Sequence, residues 1–139
     1  MALGTLVDSN VLLDVFTGDP QWGEWSAAHL ARAFDAGPVA INPLIFAELS
    51  VGFDRIEELD EALPGSIERE DLPWEAAFLA GRCFLHYRRS GGARRSPLPD
   101  FSIAAHAATS GRVLLTRDRP RYLHLLPALE VISPEPSVT

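Results

Sequence analysis

The chain has 139 residues, 47% of them hydrophobic and 22% charged, with a net charge of −7; such a composition is globular, neither disordered nor fibrous, and long enough to bury a core. No apolar run approaches the ~18 residues a membrane span requires, no basic leader opens the chain, and the lone Cys83 excludes an internal disulfide framework or a Cys-rich zinc site. All twelve basic residues are arginine, which excludes phosphate-loop ATPases and Schiff-base chemistry because both need a lysine.

Thr5, Leu6 and Val7 predict a first strand that ends at Asp8-Ser9-Asn10, and Val11 to Phe16 continue as a short helix that Gly18 stops. Asp8 therefore falls at a strand's carboxyl end. Ser9 or Asn10 can cap the helix, so capping does not require Asp8. Asp19-Pro20 has the form of an N-cap followed by proline at the first helical position, opening a second helix that reaches Ala36 before Gly37-Pro38. Trp22, Trp25, His29 and Ala33 share one stripe of that helix, which is expected to be a core face. Val39, Ala40 and Ile41 predict a second strand, and Asn42-Pro43 caps a third helix, LIFAELSVGF. Glu48 is its only charge. An ionised carboxylate on a face with Leu44, Ile45, Val51 and Gly52 is expensive to bury unless it is paired or bound to a metal.

Asp54 is expected to cap an acidic fourth helix, RIEELDEAL, whose charges form a solvated face, and Ile67 to Leu72 is a candidate third strand. Pro73 opens a long helix from Trp74 to about Arg89, and SGGARRSPLP, residues 90–99, is the most loop-like segment. From Leu98 to Asp118 the sequence LPDFSIAAHAATSGRVLLTRD reads as helix, turn and strand: Phe101, Ala104, Ala105 and Ala108 keep a helical spacing, Gly111 ends the helix, and Val113, Leu114 and Leu115 form a short apolar run. Asp100 stands at the helix start, and Asp118 follows the strand through Thr116 and Arg117. Arg119 to Leu126 predict a further short helix and Glu130 to Ile132 a last strand. The four histidines have no metal-ligand spacing and are expected to be packing or surface groups.

Charge is unevenly spread. Residues 1–75 hold three arginines and fifteen acids, whereas residues 76–129 hold nine arginines and two acids, Asp100 and Asp118. Two carboxylates in a basic setting suit a site for a polyanion. Strands alternating with helices imply a parallel sheet with helices on both faces and a site at the strands' carboxyl ends, where Asp8, Glu48, Asp100 and Asp118 could converge. Four adjacent carboxylates repel unless divalent cations neutralise them, and an oxygen-only donor set favours Mg²⁺ or Mn²⁺ over zinc. Such a centre suits hydrolysis of a phosphodiester, with arginines holding the backbone.

The order VDSN, an isolated helical Glu48, PDFSIAAHA and LLTRD resembles a PIN domain, and in size and motif wording the VapC-type toxins of bacterial and archaeal toxin-antitoxin systems. The resemblance covers nearly the whole chain. It implies a three-layer α/β/α sandwich with a central, mainly parallel sheet of about five strands, formed by a single PIN-like nuclease domain over residues 1–133 with a short tail, 134–139. It also implies Mg²⁺- or Mn²⁺-dependent endoribonuclease activity, homodimerisation and inhibition by a cognate VapB-type antitoxin, in a cytoplasmic protein with no membrane segment. Asp8, Glu48, Asp100 and Asp118 match the family's catalytic, metal-holding acids, and Asn10 and Thr116 its neighbouring polar positions, where second-shell or substrate contacts are expected. Arg94, Arg95, Arg117 and Arg119 are expected on the RNA backbone, although the loop that carries the first two belongs to no shared motif. The alternatives are an RNA-binding or scaffold module without catalysis and a housekeeping or DNA-directed nuclease of the same fold. A phosphotransferase of the haloacid dehalogenase type fits less well, since Asn10 stands where its second aspartate would and its lysine is missing.

Overall fold

A computed structural model describes residues 4–91, 98–118, 122, 126 and 128–134. Five strands, β1 (Thr5–Val7), β2 (Val39–Ile41), β3 (Glu68–Arg69), β4 (Val113–Leu115) and β5 (Val131–Ile132), form one sheet in the order β3-β2-β1-β4-β5. Every neighbouring pair is parallel. Short continuous apolar runs suit such a sheet because helices bury both of its faces, so no polar alternation appears in β1, β2 or β4. The described helices are α1 (Ser9–Thr17), α2 (Gly23–Ala36), α3 (Pro43–Ser50), α4 (Ile56–Ala62), α5 (Trp74–Arg89) and α6 (Leu98–Thr109). This is the expected α/β sandwich, and among the described residues no helix is long and apolar enough to cross a membrane.

The core runs along the sheet through Leu6, Val7, Ala40, Ile41, Leu114 and Leu115, with Val11, Leu12, Ile45, Leu49, Phe101 and Ile103 packed on it from the helices. Phe84 and Tyr87 of α5 meet Phe101 of α6 edge-on, at centroid distances of 5.6 and 5.7 Å. α6 is buried on every side from Asp100 to Ala107. Ala108 is exposed, so the fourth residue of its predicted stripe points away from the core, next to the turn at Gly111.

Helix ends follow local chemistry, with three departures. Gly18 stops α1 in the left-handed region at φ 59°, and Asn42 caps α3 by accepting from the Ile45 N–H at 2.9 Å, as expected. The first departure is α2, which starts at Gly23. Asp19 Oδ2 instead accepts from the N–H groups of Gln21 and Trp22, closing a separate turn ahead of the helix. The second is α3, which ends at Ser50, leaving Val51 88% exposed and not on the shared apolar face. The third is α4, which begins at Ile56 with Arg55 in the cap position and no side-chain cap, so Asp54 lies one residue too early. The segment predicted as a helix from Arg119 to Leu126 lies mostly outside the described residues. Of it, Tyr122 is fully buried and its carbonyl accepts from the Leu126 N–H.

Candidate active site at the switch point of the sheet

The strand order reverses direction between β1 and β4, which leave the middle of the sheet side by side with Val7 opposite Leu115. In open parallel sheets the crevice outside the carboxyl ends of such a strand pair is where sites form. The next residues on either strand are Asp8 and Thr116, and both are buried, at 2% and 0% exposure.

Asp8 has extended backbone and is the N-cap of α1, where its Oδ1 accepts from the Ser9 N–H at 2.9 Å. The expectation that Ser9 or Asn10 would take that role is therefore corrected: the chain turns into the helix immediately after β1, so Asp8 is the residue with non-helical backbone ahead of the first turn. Its second oxygen faces β4. Oδ2 accepts from Thr116 Oγ1 at 2.8 Å and from Asn10 Nδ2 at 3.3 Å. The Thr116 hydroxyl in turn accepts from the Asp118 N–H at 3.1 Å and from Asn10 Nδ2 at 3.3 Å, and Asn10 Oδ1 accepts from the Arg117 N–H at 3.1 Å. One hydroxyl thus connects Asp8 to the backbone of Asp118 across a sequence separation of 110 residues.

Arg117 carries a further connection. Its Nε donates to Asp14 Oδ2 at 2.7 Å and its Nη2 to Asp14 Oδ1 at 3.1 Å, a two-pronged pairing on α1. Asp14 is buried and also accepts from Ser26 Oγ at 2.7 Å, and the guanidinium lies 5.6 Å from the Trp22 ring centre. The Arg117 fork therefore holds α1 and the turn before α2 to the end of β4. In the sequence the one sign of this role is an acid among the apolar residues of α1.

Asp100 lies in the first turn of α6 and is 2% exposed, and Glu48 is half-buried on α3, two turns beyond β2. α3 packs against both α1 and α6, so the helices bearing Glu48 and Asp100 are in contact and flank the crevice. As the side chains stand, no three acidic, histidine or cysteine side chains among the described residues surround a common point closely enough to hold one ion. The donor chemistry suits a hard cation, being carboxylate oxygens throughout. Arg94, Arg95 and Arg119 lie outside the described residues. Arg112, one of the nine arginines of the basic segment, pairs with Glu70 and lies 3.7 Å from Glu68, which makes it part of a structural network.

The PIN domain family profile matches residues 5–120. The chain belongs to the PIN domain family. PIN domains are a nuclease family, and their nucleases generally use divalent metal ions. Several solved structures share the fold of this PIN domain. VapBC2 from Rickettsia felis, bound to a DNA fragment from its promoter, superposes with a TM-score of 0.74 at 18% identity, over 93% of this chain and 97% of that one. FitAcB from Neisseria gonorrhoeae gives 0.68 at 20% identity, over 93% and 96%. VapC20 from Mycobacterium tuberculosis, described as a toxin that cleaves the sarcin-ricin loop, gives 0.66 at 11% identity, over 94% and 100%. No curated protein sequence matches the chain.

Proposed function

We propose that this PIN domain is a metal-dependent endoribonuclease and the toxin of a type II toxin-antitoxin system. The observation that carries the reading is Asp8: a buried carboxylate at the switch point of the sheet, with one oxygen fixed by the helix it caps and the other by Thr116 and Asn10. Holding an acid in this way removes its rotational freedom before any ligand arrives, which is what a positioned metal ligand or general base requires.

In this reading Asp8, Glu48, Asp100 and Asp118 hold Mg²⁺ or Mn²⁺, which when bound activates a water and stabilises the departing oxygen of the phosphodiester. Thr116 keeps Asp8 and the Asp118 backbone in fixed relation. Asn10 holds the Arg117 N–H, so the short stretch from Thr116 to Asp118 keeps its path. Arg94, Arg95 and Arg119 are the cations expected on the RNA backbone, and Arg117 contributes chiefly through Asp14. The fold shared with VapBC complexes supports a VapB-type antitoxin as partner; a homodimer and a cytoplasmic setting belong to the same proposal.

The second reading is an RNA-binding or scaffold module of the same fold without catalysis. Cleavage of end-labelled RNA by the purified full chain in Mg²⁺, Mn²⁺ and EDTA, beside Asp8→Asn, decides between them. Asn caps a helix as well as Asp, so the variant should fold and lose at least about 100-fold in cleavage. RNA binding with no metal-dependent products from wild-type protein would establish the second reading.

A further inference from the structure

His106 is fully buried in the middle of α6, yet it is not an isolated core histidine. Its Nδ1 faces Asn42 Nδ2 at 3.0 Å, and its Nε2 faces Glu70 Oε1 at 3.2 Å. Asn42 is the N-cap of α3, and its amide cannot turn round: Oδ1 is committed to the Ile45 N–H at 2.9 Å, so the –NH₂ group must be the end that faces the imidazole. A hydrogen donated by Asn42 requires a lone pair on Nδ1. The imidazole proton therefore sits on Nε2, the nitrogen nearer Glu70, and the ring is neutral; Nε2 and Glu70 Oε1 complete no hydrogen bond in this geometry, so Glu70 meets the ring as a polar contact at 3.2 Å. Burial also pushes the imidazole toward its neutral form, below the usual histidine range; Glu70 opposes that shift and Arg112 adds to it. Glu70 stands just beyond β3, with its N–H on the Ile41 carbonyl, and its other oxygen is taken by Arg112, which follows α6.

The chain of contacts Arg112, Glu70, His106, Asn42 thus runs from the edge of the sheet through α6 to the first turn of α3. α6 bears Asp100 and α3 bears Glu48. We propose that His106 is a positioning residue: acting through Asn42, it sets the N-terminus of α3 against α6 and so fixes where Glu48 stands relative to Asp100. The inference rests on the nuclease reading above. The physical reason is that α3 is only eight residues long, barely two turns, so its placement depends on the cap more than a long helix's would. A brace made of an amide and a neutral ring, with its one carboxylate already paired with Arg112, can hold α3 and α6 at a set spacing without leaving an unpaired charge that would compete for a cation.

Two near-isosteric variants separate this role from simple filling of space. His106→Asn keeps an acceptor where Nδ1 stands and so keeps the contact with Asn42. His106→Gln keeps a donor where Nε2 stands and so keeps the contact with Glu70 while losing Asn42. In the full chain without RNA, Mn²⁺ affinity measured by calorimetry is expected to fall about tenfold in His106→Gln and to stay within about threefold of wild type in His106→Asn. Amide hydrogen exchange in the metal-free protein should be faster across Ile45 to Leu49 in His106→Gln alone. Equal loss of metal affinity in both variants, in step with their melting temperatures, would reduce His106 to a packing residue and overturn the proposal. So would unchanged exchange along α3 in both. Wild-type protein that takes up no Mn²⁺ overturns the nuclease reading instead, while the exchange comparison still decides whether the brace exists.

Discussion

Two buried polar clusters in this molecule look alike and differ in purpose. At the switch point, the carboxylate of Asp8 is held by a hydroxyl, an amide and a backbone N–H, all neutral donors from α1 and the residue that follows β4. Beneath α3 and α6, a neutral imidazole is held between an amide and a carboxylate that is itself paired with an arginine. The first arrangement fixes an anion in place, which favours a later cation. The second leaves little charge for a ligand to use and joins four elements, which favours rigidity. Burial of polar groups therefore does not identify an active site; the charge that the hydrogen bonds hold in place distinguishes the two.

Substitutions can break that contrast. Beyond Asp8, the largest effect is expected at Glu48, where Glu48→Gln keeps the size but removes the charge: cleavage should fall on the order of 100-fold with an unchanged melting temperature. A collapsed melting temperature would mean that Glu48 serves the fold. Thr116→Val should come next, costing about 10-fold to 100-fold in cleavage together with about 1–2 kcal/mol of stability, because Asp8 and the Asp118 N–H both lose a partner. Activity that survives this change would show that Thr116 does not hold the acids.

Arg117→Ala tests stability rather than chemistry. It leaves Asp14 buried with Ser26 as its remaining hydroxyl donor, and with the arginine about a third exposed, a loss of about 2 kcal/mol in urea unfolding is expected. An unchanged midpoint, together with weaker RNA binding and a flatter salt dependence, would return Arg117 to the substrate. The smallest effect concerns pH. Because the folded protein lowers the His106 pKa below its unfolded value of 6.5, its unfolded form binds protons first. The contribution of the neutral ring is then fully present above that value and is lost as pH falls below it, through the folded pKa. Denaturation midpoints from pH 7.5 down to 5 should show this decline in wild type and a shallower one in His106→Asn; parallel curves would assign the decline to other groups.

Much of the fold is legible along the chain. β1, β2 and β4 coincide with their apolar triplets, and Pro73 and Gly18 mark helix ends through backbone restrictions that act within a residue or two. The start of α2 was not legible, because Asp19 forms an equally local turn that uses the same carboxylate oxygen a cap would use. Nor was the double use of Asp8. Its capping oxygen answers to Ser9, one residue away, whereas its other oxygen answers to Thr116, 108 residues away.

By itself the sequence determined the alternation of strands and helices, the apolar core and the order of the acids, since these depend on side-chain periodicity and on backbone preferences of single residues. Only the tertiary structure decided which polar groups meet. The pairings of Arg117 with Asp14, Arg112 with Glu70 and His106 with Asn42 join residues 103, 42 and 64 positions apart. No local pattern selects such partners. The parallel register of the sheet and the burial of α6 bring them together, and a buried donor without its acceptor would be too costly to leave in place.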